Sequence, residues 1–160
     1  GALMILSKIL KKTFLVLLFG LVVTACATKK TTTTAELDSQ IQGDVYVGTD
    51  TVGELAKGVP DRVFFATNES VLTTISRDTL RKQAAWLREN GNVSVVIEGH
   101  ADERGTREYN LALGERRANA VKDYLMTYGI SADRISVISY GKERPVDPGS
   151  NPLSWSKNRR

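Results

Sequence analysis

From Pro60 onward the chain alternates between two rhythms of apolar residues. Three short runs, RVFFA (Arg62 to Ala66), NVSVVIEG (Asn92 to Gly99) and RISVISYG (Arg134 to Gly141), are rich in Val, Ile and Phe and predict β-strands. Between the first two, Leu80, Ala84 and Leu87 recur at helical spacing, with Ser76 as the expected N-cap, Asp78 in the first turn, Ile75 and Leu80 at staple positions, and Gly91 as the stop. Between the second and third, Leu111, Gly114, Ala118, Val121 and Leu125 mark the core stripe of a longer helix from about Thr106 to Tyr128, closed by Gly129. Gly114 is the small residue where that helix must approach its neighbour closely. The order β-α-β-α-β is that of an α+β domain with helices packed on one sheet.

Ahead of this lies a different pattern. Lys8 to Cys26, KILKKTFLVLLFGLVVTAC, has a basic head, an apolar run and small residues, the layout of a secretory signal. Its uncharged part, Thr13 to Cys26, is 14 residues long, short of the roughly 20 that span a bilayer as a helix. Met4 is a plausible initiator, leaving residues 1–3 as a possible upstream extension. VTAC, ending at Cys26, resembles a bacterial lipobox, which implies cleavage after residue 25 and lipid on Cys26; Ala27 in place of aspartate implies the outer membrane. The segment 26–60, headed by TKKTTTTAE, buries too little apolar surface to offset its ordering entropy and is expected to be a tether. Its mean coil span is on the order of 30 Å. The folded domain is expected over 61–160.

Charge and composition narrow the function. The net charge of +4 includes Lys8, Lys11 and Lys12 of the signal, without which 19 basic residues face 18 acidic ones. That balance gives little general attraction to a phosphate backbone, so no nucleic-acid partner is expected. One Cys and one His make neither an internal disulfide nor a zinc site of the usual ligands, and no cofactor or metal is expected.

The densest chemistry lies in GHADERGTREYNLALGERRANAV (Gly99 to Val121), with eight charged side chains in 23 residues. Asn110, Leu113 and Arg117 form a narrow row beside the core stripe of the second helix. Asp102 falls in the loop that leaves the second strand, where sheets of this kind commonly hold ligands. An aspartate accepts from an ammonium and an arginine forks a carboxylate, so the two together suit a zwitterionic amino-acid end. A surface ion pair of Asp102 and Arg117 is the alternative reading. His100 is expected to be a locally bonded turn residue. Gly105 marks a tight or left-handed turn.

EGHADERGTREYNLALGERRANAVKDYL resembles the core motif of the OmpA-like peptidoglycan-binding domains, particularly their lipid-anchored members. VFF before it, and SYGKERP and SKNRR after it, extend the likeness over about Val63 to Arg160. The resemblance implies an outer-membrane lipoprotein whose domain faces the periplasm and binds the diaminopimelate of the peptidoglycan stem peptide without catalysis. It further implies TolB and other Tol-system proteins as partners, in envelope integrity and division. Matched position by position, it implies Asp102 for the ammonium, Arg117 for the carboxylate, Asn110 and Leu113 on the pocket wall, and Phe65 and Thr67 on a lining loop.

Two departures accompany the likeness. Ala66 stands where many relatives carry an acid, so any polar contact there must come from backbone or be absent. Relatives also continue past NRR into a final strand, which is missing from the sequence as given; the domain 61–160 is therefore read as truncated. The alternatives are a structural OmpA-like lipoprotein outside the Tol system, and a peptidoglycan hydrolase using carboxylates among Glu98, Asp102 and Glu103. The latter lacks a nucleophile motif and a metal-ligand set.

Overall fold

A computed structural model describes residues 43–160. The signal, Cys26 and the first part of the tether lie outside the described residues. The element order is β1 (Glu54–Ala56), β2 (Val59–Pro60), α1 (Thr74–Glu89), β3 (Val95–His100), α2 (Arg107–Thr127), β4 (Ile135–Gly141) and α3 (Pro152–Asn158). β1 and β2 form a small antiparallel hairpin, while β3 and β4 pair in parallel with Val95 opposite Ile135 and Gly99 opposite Ser139. Among the described residues, no helix is long and apolar enough to cross a membrane.

The expected apolar stripes form the core. Leu80, Ala84 and Leu87 of α1 meet Val121 and Leu125 of α2, with Phe65, Leu72, Ile130 and Ile135 in the same cluster. Each buried aliphatic side chain contributes roughly 1.5–3 kcal/mol relative to exposure. Val95 and Ile97 of β3 pack against this cluster while Val96 and Glu98 point outward, the alternation of a sheet covered on one face. The result is a two-layer α+β domain.

α2 and β3 approach each other backbone to backbone. A Cβ on Gly99 would overlap the Gly114 carbonyl oxygen, and one on Gly114 would crowd the Ser139 hydroxyl and the Gly99 carbonyl. Two glycines facing each other thus let helix backbone rest on strand backbone. This sets the depth at which α2 sits, and with it the position of the row Asn110, Leu113 and Arg117.

Three expectations are corrected. Helix α1 begins at Thr74 with Thr73 as its N-cap, because the Thr73 hydroxyl accepts the Ser76 N–H while Ser76 donates its own hydroxyl to the Phe64 carbonyl. Residues 62–66 form no strand: no neighbouring strand pairs with them, and the Phe65 N–H bonds instead to the Arg159 carbonyl. Finally, residues 43–60, expected in the tether, pack on the domain. Val45 and Tyr46 are buried with Phe64 and Ala66, and the Tyr46 ring meets Phe64 edge-on at 4.9 Å.

Between the Phe65 segment and β3 lies a cleft of about 350 Å³ lined by residues including Val63, Phe65, Val95, Ile97 and Val121. The Arg159–Arg160 backbone occupies one end of it. There the Arg159 carbonyl accepts from Phe65 and the Arg160 carbonyl from His100, both at 2.9 Å.

Candidate functional site

Helix α2 starts where expected, with Thr106 as its N-cap. The Thr106 hydroxyl accepts the Tyr109 N–H, and Gly105 just before it has φ +92°, the left-handed turn that brings the chain from β3 into the helix. Asp102 stands at the head of this turn and is 7% exposed. Its Oδ1 accepts from the Arg104 N–H and Nε, each at 3.0 Å, and its Oδ2 accepts from Arg104 Nη2 at 2.6 Å and Arg159 Nη1 at 3.4 Å. Burial disfavours the ionised carboxyl, but the Arg104 hydrogen bonds and charge, helped by Arg159, outweigh it and hold Asp102 below the ordinary aspartate range.

Arg117 is 1% exposed. Its Nε donates to the Glu69 carbonyl at 2.8 Å, Nη1 to His100 at 2.8 Å and Nη2 to Ala66 at 3.0 Å. It therefore ties the loop after Phe65, where Asn68 takes a left-handed φ of 59°, to the end of β3. Three of its five donors are committed and two are not. Burial and the charge of Arg159 pull its guanidinium down to about 10, so it stays cationic at neutral pH. No direct ion pair joins Arg117 to Asp102, and both are buried, so the surface ion-pair alternative does not describe them.

The other expected residues gather around these two. Asn110 is buried and donates Nδ2 to the Arg104 carbonyl at 2.8 Å, fixing the turn that carries Arg104. Leu113 is buried between Asn110 and Arg117 on α2. The Phe65 ring lies beneath the Arg117 guanidinium at 5.3 Å. Thr67 accepts Arg104 Nη2 through its hydroxyl at 3.3 Å and gives its N–H to Asp44 Oδ2 at 2.7 Å. The Ala66 carbonyl is taken up by Arg117.

Three participants were not foreseen. Arg159 is buried and donates Nε to the Phe65 carbonyl at 3.0 Å and Nη2 to the Asp44 carbonyl at 2.6 Å, besides reaching Asp102. Arg104 stacks its guanidinium 4.4 Å over Trp155, whose Nε1 donates to Glu103 Oε1 at 2.8 Å. Asp44 supplies the acidic group beside Thr67 that position 66 does not. Trp155 lies on α3, a helix marked in the sequence only by Asn151 at its cap and Pro152 at its start. Within this cluster three arginines, Arg104, Arg117 and Arg159, face three acids, Asp44, Asp102 and Glu103, so that charges of both signs are on hand for a ligand carrying carboxylate as well as ammonium.

His100 ends β3 rather than sitting in a turn, and its ring is buried. Nε2 meets Glu98 Oε2 at 3.2 Å, the ring stacks on Tyr140 at 5.5 Å, and Nδ1 has no partner. Burial, followed by the Arg160 charge, pushes the imidazole down to about 4 against the opposing pull of Glu98. The cleft beside β3 is lined by His100, Phe65 and Arg117 but not by Asp102, Asn110 or Thr67, so it meets the Asp102 cluster only at Phe65 and Arg117. Among the described residues, no group of three or more His, Cys, Asp or Glu side chains is placed to hold a metal ion.

Residues 64–159 match the OmpA family. The chain is 44% identical over 140 residues to a peptidoglycan-associated lipoprotein of Mesorhizobium japonicum, covering 88% of this chain and 83% of that one. The chain belongs to the peptidoglycan-associated lipoproteins of the OmpA family. A second such lipoprotein, from Pseudomonas putida, is 50% identical over 97 residues, 61% of this chain and 58% of that one. The crystal structure of the peptidoglycan-associated lipoprotein from Burkholderia pseudomallei superposes with a TM-score of 0.59 at 36% identity, over 60% of this chain and 81% of that one. The C-terminal domain of Helicobacter pylori MotB shares the fold, with a TM-score of 0.57 at 21% identity over 61% and 77% of the two chains.

Proposed function

We propose that the chain is an outer-membrane lipoprotein, anchored through lipid on Cys26, whose periplasmic domain binds peptidoglycan non-covalently through the diaminopimelate of the stem peptide. The carrying observation is the buried Asp102 carboxylate, ionised among arginines at the β3–α2 turn. Such a group offers an ammonium a charged acceptor with little competing water, where charge-assisted hydrogen bonds are strong. The two uncommitted donors of Arg117 favour a carboxylate of the ligand. Asn110 and Leu113 form the wall on α2, and Phe65 and Thr67 the facing loop. The action is binding, with no catalytic step.

Sedimentation with purified sacculi tests this reading. The parent protein is expected in the pellet, and Asp102→Asn, which keeps the shape but removes the charge, in the supernatant. Pelleting of a folded Asp102→Asn protein at the parent level overturns it. Family membership further supports TolB and other Tol-system proteins as partners and a part in envelope integrity and cell division. Capture of TolB by the purified domain separates this from a structural role outside the Tol system.

A further inference from the structure

We propose that Arg104 is an internal placeholder for the ligand's ammonium group, closing the Asp102 carboxylate in the empty site and letting go of it, while keeping its stack on Trp155, when ligand enters. This rests on the reading that Asp102 receives that ammonium. A carboxylate has about four lone-pair positions, and Asp102 accepts four hydrogen bonds, three from Arg104 and one from Arg159. It has no vacancy for a further donor. One of the two arginines must give way.

The structure distinguishes them. The Arg159 side chain is 3% exposed and is held at once by the Phe65 carbonyl and by Asp44, so withdrawing it dismantles the packing beneath the site. The Arg104 side chain is 41% exposed. Apart from Asp102, among the described residues its guanidinium bonds or stacks only with the Thr67 hydroxyl, at 3.3 Å, and the face of Trp155. Its backbone stays fixed through the Asn110 bond to its carbonyl, so the side chain moves about an anchored Cα.

Displacement is also balanced in charge. One cation leaves Asp102 and another takes its place, so the acid is never left buried and unpaired, which would cost several kcal/mol. The departing guanidinium has a station ready, because Trp155 already holds it by a cation–π contact and is itself pinned by Glu103. Selectivity follows from the exchange. A ligand end that is neutral, such as an acylated amine, cannot replace the charge of Arg104 and leaves the site shut.

A placeholder reduces apparent affinity by the fraction of molecules in which it is open. If Arg104 is withdrawn in about one molecule in ten, removing it tightens binding roughly tenfold. The test is calorimetric titration of the whole protein with a soluble stem tripeptide ending in diaminopimelate, for the parent, Arg104→Gln and Asp102→Asn. Arg104→Gln is expected to bind several-fold to tenfold more tightly, and Asp102→Asn to lose binding. Unchanged or weaker binding by a folded Arg104→Gln protein overturns the proposal while leaving the Asp102 reading intact. Parent-like binding by Asp102→Asn removes both.

A second measurement is independent of how the variant folds. In the parent, the Arg104 Nε–H proton is expected to be protected in the free protein and to exchange rapidly at ligand saturation. Protection that persists at saturation overturns the proposal.

Discussion

Arg117 Nε lies 2.8 Å from the carbonyl oxygen of Glu69, a residue 48 positions earlier in the chain. With the parallel bonds to Ala66 and His100, this makes one side chain of α2 the support for the loop that carries Thr67. Arg117→Ala removes the donors of three carbonyls, two of them on that loop. The expected cost is about 3–5 kcal/mol, as for other broken buried charge networks. Lysine offers a point charge in place of the planar fork, so Arg117→Lys is expected to restore only part of it. Urea unfolding of the two variants checks both.

The facing glycines give a sharper contrast. Gly99→Ala drives a methyl into the Gly114 carbonyl, backbone against backbone, with no flexible side chain to yield. Its stability is expected to fall by at least roughly 2 kcal/mol. Gly91 has open space around its Cβ position and no left-handed φ, so Gly91→Ala is expected to stay within about 0.5 kcal/mol of the parent. A thermal melt of each protein reads the difference.

His100 makes stability depend on pH. Its folded value of about 4 lies below the ordinary 6.5, so below pH 6.5 the unfolded chain takes up a proton that the folded one refuses. Stability is therefore full above pH 6.5 and declines as pH falls from there through about 4. Relative to pH 7.5, the His100 contribution at pH 5 is a loss of about 2 kcal/mol. The groups facing the ring are Glu98, which opposes the shift, and Arg160 and Arg62, which support it. Denaturant midpoints at pH 7.5, 6 and 5, with the imidazole followed by NMR, check the slope and the group responsible.

Tyr46 tests whether residues 43–60 belong to the folded unit. Its ring is buried against Phe64 and Ala66, and Lys157 Nζ lies 5.8 Å from the ring centroid. Tyr46→Ala is expected to cost roughly 2–3 kcal/mol and to open the segment before residue 60 to protease. Cleavage of the parent at the same rate as the variant contradicts this packing.

The parts legible in the sequence are those decided within a few turns of chain. The boundaries of α2 followed from Thr106 and Gly129, its core stripe from spacing, and the close approach at Gly114 from its size. Cap assignment at α1 went astray because Thr73 and Ser76 are both good capping residues, and what separates them is the distant Phe64 carbonyl that engages Ser76. The same limit applies at the site. Asp102, Asn110, Leu113 and Arg117 could be placed on one turn and one helix. That Asp102 is already saturated depends on Arg159, 57 positions away, and no local pattern carries that contact. Val45 and Tyr46 escaped notice because two apolar residues in a polar stretch resemble a linker until Phe64 and Ala66 are placed beside them.

Asp44 bonds to Thr67 and, through its carbonyl and carboxylate, to Arg159, the guanidinium that also touches Asp102. Any pull arriving along the backbone from residue 43 is thus shared at Asp44 between the Thr67 N–H and Arg159 before it reaches the hairpin. Asp44, ahead of the hairpin, and Asp102, at the turn into α2, thus share one guanidinium, so tension on the first is transmitted to the second through a single rivet.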